Sequence, residues 1–329
     1  MPFQVGWDIT HLCNYRCKHC YFSSKQLSDR TSLPLDEALS FVQHLIDTKV
    51  FHLSIAGGEP LLYPHIVDIV RAARAGGVLV AMSTNASLLT PELAQSLFNA
   101  GLKFLQISLD GSTAAINDII RGPGRFEKTM SGIRVALSQG FQIVLAYVIQ
   151  RPNKHDVETF LDFAASLGVR GVKIQSMIQS GLGEDNWGEL SLPESELIEI
   201  LRGLWASKRR FHGRLEVMLP LIPGLDPGLD KGPEYYNKDS SCLGCQPGLT
   251  TIRVNSHGDV RACGSFVNAE PIGNIRRERL QNIWLTSQEL VRWRNESNLK
   301  SGQSSTACGS LCARGCRSST APEFAKNVA

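Results

Sequence analysis

From residue 3 to about 175 the chain alternates short apolar runs with amphipathic stretches, and this alternation constrains the fold more than any other feature. Apolar runs at 5–9, 52–55, 78–83, 104–109, 142–148 and 172–174 predict strands. Segments 34–48, 66–75, 91–99, 126–139 and 157–167 read as helices between them. Pro34 and Pro91 suit first-turn positions, and Gly76, Gly101, Gly140 and Gly168 suit helix stops. Strands alternating with helices make βαβ units and a parallel sheet. A closed eight-unit barrel needs roughly 250 residues, and the alternation ends well before that. The expected class is α/β: a partial (β/α)6 barrel with a small C-terminal α+β domain.

A further helix is expected over 193–209, which closes a core domain at 1–215. A linker, 216–239, follows; it holds Pro220, Pro223, Gly224, Pro227, Gly228, Gly232 and Pro233. Residues 240–329 form the expected second domain. It carries a hairpin signal at Asn255–Asp259 between runs 252–254 and 260–262, then a helix near 280–294.

Net charge is +3, from 34 basic and 31 acidic residues, too balanced to imply nucleic acid or a membrane surface. No apolar run spans a bilayer, and residues 1–5 have no signal-peptide pattern, so a cytoplasmic location is expected. Nine cysteines in such a chain argue for metal or redox chemistry rather than a disulfide framework.

Cys13, Cys17 and Cys20 stand as Cys-x3-Cys-x2-Cys in the loop after the first strand. In an α/β barrel that is the face where active sites are built. Three thiolates hold three corners of a [4Fe–4S] cluster, which normally takes four cysteines. Without a fourth, one iron stays open to a substrate or cofactor. Zinc is the competing reading, but structural zinc sites use four protein ligands, with a second pair following Cys-x2–4-Cys.

The stretch from Trp7 through Cys13-Asn14-Tyr15-Arg16-Cys17-Lys18-His19-Cys20-Tyr21, with Gly57-Gly58-Glu59-Pro60, resembles the radical S-adenosylmethionine (radical SAM) enzymes. The resemblance implies that Gly57, Gly58, Glu59 and Pro60 bind the amino group of the SAM methionine moiety. It places Ser83 and Asn85, then Ser108 and Asp110, near the SAM ribose and carboxylate. Arg121 would pair with the SAM carboxylate, and His19 would lie near the adenine. Taken alone, Gly57-Gly58 or Asp110-Gly111 reads as a tight turn and Arg121 as a surface charge. The implied chemistry is reductive cleavage of SAM to a 5′-deoxyadenosyl radical, which abstracts hydrogen from an unactivated C–H bond.

The remaining cysteines run Cys242-x2-Cys245, Cys263, then Cys308-x3-Cys312-x3-Cys316. This order resembles the SPASM/twitch extension, which carries auxiliary iron–sulfur clusters. The resemblance implies one auxiliary [4Fe–4S] cluster on Cys242, Cys245, Cys263 and Cys316. Cys308 and Cys312 then help hold a second cluster, replace a ligand, or stay as thiols. A two-cluster arrangement and a zinc ribbon are the competing readings.

Auxiliary clusters imply net oxidation, by dehydrogenation or decarboxylation. The first expectation is a small natural-product intermediate such as a sugar, aminocyclitol or nucleoside. A ribosomal-peptide maturase (cross-link or thioether formation) and a tetrapyrrole side-chain decarboxylase are alternatives; an iron–sulfur electron carrier is the non-enzymatic one. Strand 1 begins within the first few residues, so no peptide-recognition module is expected ahead of it. The expected partners are a small-molecule or peptide substrate and an external one-electron reductant of flavodoxin or ferredoxin type. Asp8, Tyr147, Gln175 and Met177 stand near strand ends as candidates to face the substrate.

Overall fold

In the computed structural model, residues 1–220, 248–263, 270–291 and 294 are described. The core runs β1 (Gln4–Thr10), α1 (Leu35–Asp47), β2 (His52–Gly57), α2 (Ile66–Ala75), β3 (Leu79–Thr84), α3 (Pro91–Asn99) and β4 (Phe104–Ser108). It continues through α4 (Ala114–Arg121), α5 (Arg125–Gln139), β5 (Gln142–Ile149), α6 (Val157–Leu167) and β6 (Gly171–Ser176). Short helices α7 (Leu182–Asp185) and α8 (Trp187–Leu190) precede α9 (Glu194–Ser207) and β7 (Glu216–Met218). The C-terminal part contributes β8 (Thr251–Val254), β9 (Asp259–Arg261), β10 (Gly273–Asn274) and α10 (Leu280–Thr286).

All ten strands join one sheet in the order β10-β9-β8-β1-β2-β3-β4-β5-β6-β7. From β8 through β7 every pairing is parallel; β8–β9 and β9–β10 are antiparallel. The six expected strands are therefore present, as a partial barrel with two free edges among the described residues. The hairpin β8–β9 pairs with β1 and so continues the core sheet. Residues 216–218, expected in the linker, form β7 on the opposite edge. α4 was not expected; its eight residues follow the turn-forming run Asp110-Gly111-Ser112-Thr113. The helix expected near 280–294 stops first at Thr286, because Ser287 is extended.

Why these segments pack this way is legible in their periodicity. α1 buries Ala38, Phe41, Val42 and Leu45, and α2 buries Ile66, Ile69, Val70 and Ala73, each an i, i+3, i+4, i+7 stripe. Thr90 caps α3 by accepting from Leu93 N, with Pro91 in the first turn. On β1, Val5, Trp7 and Ile9 face the helices; Trp7 meets Phe41 of α1 edge-on at 5.0 Å. Truncating Phe41 to Ala would cost about 3–5 kcal/mol. The alternate residues, Gly6 and Asp8, face the concave side, in register with Ser54 and Ala56. No helix of the described residues is long and apolar enough to cross a membrane.

Candidate active site at the mouth of the barrel

The three-cysteine loop leaves the C-terminal end of β1 and is fixed by backbone bonds to distant segments. Cys13 N donates to Leu27 O at 3.1 Å, Lys18 N to Ile120 O at 2.9 Å, and Gly183 N to Cys20 O at 2.8 Å. Side chains add to this: Asn85 Nδ2 donates to Asn14 Oδ1 at 2.9 Å, and Asn14 Nδ2 to Ser87 Oγ at 2.9 Å. The Arg125 guanidinium lies over the buried Tyr15 ring, 4.3 Å from its centroid. Cys13, Cys17 and Cys20 form no disulfide. Burial pushes the Cys13 and Cys20 thiols up to about 12, and each is raised further by its neighbouring cysteines. Burial also raises Cys17, which the Arg121 charge opposes. Three partly buried thiols on one loop, kept by desolvation from ionising alone, are suited to a cation that ionises them together. Their donor set fits an iron–sulfur cluster.

The Gly57–Pro60 segment packs directly on this loop. Gly57 has φ +130°, and a Cβ there would come within 2.2 Å of Thr10 O. A Cβ on Gly58 would stand 2.2 Å from His11 O and 2.4 Å from Leu12 O. Gly58 N donates to Thr10 O at 2.8 Å, and Glu59 N to Leu12 O at 2.9 Å. The close approach that requires glycine is thus made to the cysteine-loop backbone. Glu59 is fully buried. It accepts from Thr84 Oγ1 at 2.6 Å, Leu61 N at 3.1 Å and Asn85 N at 2.8 Å. Burial raises its pKa against the pull of those hydrogen bonds. Its carboxylate joins the ends of β2 and β3 to the loop that carries Asn14. Pro60 opens a single 3₁₀ turn.

Asp110 is the hub of the opposite rim. It is fully buried; Oδ1 accepts from Val148 N at 2.8 Å, and Oδ2 lies 2.7 Å from Arg121 Nη2 and 3.6 Å from His19 Nε2. Arg121 Nη1 stands 3.8 Å from Cys17 Sγ. Arg121, expected to pair with a SAM carboxylate, is therefore already paired with Asp110 and placed against the cluster loop. Arg121 Nε and His19 Nδ1 are buried with no hydrogen-bond partner among the described residues. A polar ligand group beside Cys17 would satisfy them, so the rim fits SAM. Burial holds the His19 imidazole down at about 4, against the Asp110 charge, so it is neutral at pH 7. Ser83 and Ser108 lie on the concave face beside Gln106 and Ala146; Ser83 Oγ accepts from Gln106 Nε2 at 3.3 Å.

Of the residues expected to face the substrate, Asp8 does face the concave side. It is nearly fully buried and paired with Arg253 of β8, whose Nε donates to Oδ2 at 3.0 Å and whose Nη2 contacts Oδ1. Gln175 of β6 aligns with Val148 on the same side. Met177, just past β6, is buried. Tyr147 faces the other way: its ring packs on Phe160 of α6 at 4.5 Å, and its hydroxyl donates to Asn153 O at 2.7 Å. It belongs to the helix-facing core. Two cations that sequence reasoning missed, Arg253 and Lys173, share the concave face. Lys173 is exposed within the concavity and forms no ion pair with a described residue. Desolvation, then the Arg253 charge, lowers its pKa. Arg253 and Cys263 line one cavity of about 210 Å³. Cys242, Cys245, Cys308, Cys312 and Cys316 lie outside the described residues.

Comparison with known proteins agrees with this geometry. The family described as the radical SAM superfamily matches residues 7–164, and SPASM, an iron–sulfur cluster-binding domain, matches 245–317. The mycofactocin maturase MftC of Mycobacterium tuberculosis is 30% identical over 323 residues, covering 96% of this chain and 78% of that protein. The AdoMet-dependent heme synthase of Methanosarcina barkeri is 27% identical over 328 residues, covering 96% of this chain and 91% of that one. Among solved structures, Streptococcus suis SuiB bound to S-adenosylmethionine superposes with a TM-score of 0.74 at 17% identity, over 89% of this chain and 68% of that chain. For anSMEcpe with bound AdoMet the TM-score is 0.67 at 19% identity, over 86% and 80%. These two likenesses concern the fold. With a three-cysteine loop leaving the end of β1, a glycine pair packed on it and a partial parallel barrel beneath, the chain belongs to the radical SAM superfamily, with a C-terminal SPASM iron–sulfur domain.

Proposed function

We propose that the protein is a maturase that oxidatively modifies a ribosomally made peptide. It is a radical SAM enzyme, and its cofactors are SAM, the radical SAM [4Fe–4S] cluster and auxiliary iron–sulfur centres. When bound, the cluster and SAM supply a 5′-deoxyadenosyl radical able to take hydrogen from carbon. Cys13, Cys17 and Cys20 would hold that cluster. The Gly57–Pro60 backbone, Ser83, Asn85, Ser108 and the Asp110–Arg121–His19 group would hold SAM. Asp110 orients Arg121, and Glu59 fixes the rim. Cys242, Cys245, Cys263 and Cys316 would hold an auxiliary cluster, which would supply one-electron oxidising capacity, with Cys308 and Cys312 as further thiols of that domain. A one-electron reductant of flavodoxin or ferredoxin type would supply the radical SAM cluster.

The observation that carries the peptide reading is 30% identity to a mycofactocin maturase over 96% of this chain. The sheet edges at β10 and β7, unpaired among the described residues, support it, because an unpaired strand edge can take up an extended chain. The concave face offers Lys173 and Gln175 as polar contacts. A second reading, modification of a tetrapyrrole side chain, rests on the heme synthase relative, of which the chain covers 91%. The first expectation, a sugar, aminocyclitol or nucleoside, draws no support from either relative.

The test is anaerobic incubation of reconstituted enzyme, SAM and dithionite with short peptides encoded beside its gene. Mass spectrometry should find a peptide that loses two hydrogens, with or without carbon dioxide, as 5′-deoxyadenosine accumulates. Turnover of an iron tetrapyrrole with loss of a propionate carboxylate, and none of the peptides, would refute the peptide reading in favour of the second.

A further inference from the structure

Outside the SAM site, one cluster of side chains among the described residues has metal-ligand chemistry. His11, Asp29 and His257 place one ring nitrogen of each histidine and one Asp29 oxygen within 4.8 Å of one another. His257 Nε2 is 2.7 Å from Asp29 Oδ2, and His11 Nδ1 is 3.8 Å from the same oxygen. The three residues come from the strand-to-loop junction after β1, the end of a 3₁₀ turn, and the β8–β9 hairpin. They line the cavity of about 210 Å³ shared with Asp8, Arg253 and Cys263.

Two observations point to a ligand. His11 is only 6% exposed, and its Nδ1 is buried with no hydrogen-bond partner among the described residues. An imidazole nitrogen left so in a polar cavity is costly unless something binds it. The charge of the cavity has the matching sign. Asp8, Asp29 and Asp259 face Arg253 and Arg261 there, so among the described residues carboxylates outnumber guanidiniums by one. Two imidazoles and one carboxylate suit a divalent first-row transition metal. Bonds of about 2.0–2.2 Å to such an ion set the ligand atoms about 3.0–3.4 Å apart, so the His257–Asp29 pair opens by a few tenths of an ångström and His11 closes on Asp29 by a similar amount, small adjustments for a half-exposed hairpin-turn histidine.

We propose that His11, Asp29 and His257 bind a divalent transition-metal ion, separate from the iron–sulfur centres, with its remaining coordination positions open to the cavity. The ion would clamp the N-terminal loop to the hairpin of the SPASM region. It would lie between the end of β1, which leads into the SAM-cluster loop, and Cys263. The site does not depend on the peptide reading.

The test uses the full-length, anaerobically reconstituted holoenzyme, with iron and sulfide counted, dialysed against Co²⁺ alone. Cobalt retained after gel filtration is measured by elemental mass spectrometry. One cobalt per chain with no iron lost is expected. Asp29→Asn and His257→Ala should each weaken cobalt binding by roughly tenfold or more, with iron and sulfide at wild-type levels. If either variant loses iron, His257→Gln replaces it, since glutamine keeps a donor to Asp29 without an imidazole. Wild-type protein that retains no cobalt, variants that retain it as tightly, or cobalt gained only as iron is lost would each overturn the proposal.

Discussion

Replacing Gly58 with alanine should stop SAM cleavage while leaving a folded protein. The added Cβ would lie 2.2 Å from His11 O and 2.4 Å from Leu12 O. Ordinary C···O contact begins near 3.3 Å, so one backbone must retreat by about 1 Å. The segment that meets the new methyl is the one leading into Cys13. Retreat also strains the Glu59 N to Leu12 O bond of 2.9 Å. Overpacking of this kind costs about 1–3 kcal/mol, which a domain of this size survives. A displacement of about 1 Å at a reacting centre can cost roughly 100-fold in rate. Activity should therefore fall far more than stability. The control is Gly203→Ala on α9, where a Cβ meets nothing within 4 Å; it should stabilise by up to about 1 kcal/mol. The assay is 5′-deoxyadenosine formation under dithionite, with iron content and thermal unfolding measured on the same preparations. A Gly58→Ala protein with full iron that cleaves SAM at the wild-type rate would refute the claim that this glycine positions the cluster loop.

Asp8→Asn leaves the Arg253 guanidinium without its carboxylate in a largely buried setting and should cost about 3 kcal/mol, read as a lower Tm; an unchanged Tm would show that the pair contributes nothing net. Glu59→Gln puts an amide NH2 against the donors from Thr84, Leu61 or Asn85, and should cost about 1–3 kcal/mol with reduced cluster retention in iron assays. With one full auxiliary cluster, reconstituted protein should carry about eight irons, at four per centre; about twelve would mean that Cys308 and Cys312 support a second. Replacing Cys263 and Cys316 should leave SAM cleavage but abolish oxidised product. A folded variant that still converts substrate at the wild-type rate would make that cluster structural.

The repeated βα pattern made the parallel sheet legible, because each strand and helix carries its own period. α2, α3 and α6 begin and end where Pro91, Gly76 and Gly168 punctuate the chain. α4 was missed because it is only eight residues long and sits between two turn-forming runs, 110–113 and 122–124. The orientation of Tyr147 was missed for a different reason: a fully buried strand has apolar residues on both faces, so alternation does not say which side is inward. The cysteine loop stood out because its spacing is local. Arg253 did not, since it meets Asp8 across 245 positions of sequence. His11, Asp29 and His257 were equally hidden, because His257 reaches Asp29 only through the pairing of β8 with β1. Glycines 57 and 58 were legible as a motif, but their physical demand, contact with the loop at residues 10–12, emerges only when β1 and β2 lie side by side.

The most direct test of the account is SAM cleavage by the Cys13/Cys17/Cys20→Ala variant. Wild-type enzyme, reconstituted and reduced anaerobically, should release 5′-deoxyadenosine from SAM. The variant should release none while keeping about half the wild-type iron, at four irons per remaining centre. Continued release of 5′-deoxyadenosine by the folded variant would contradict the assignment of radical generation to this loop.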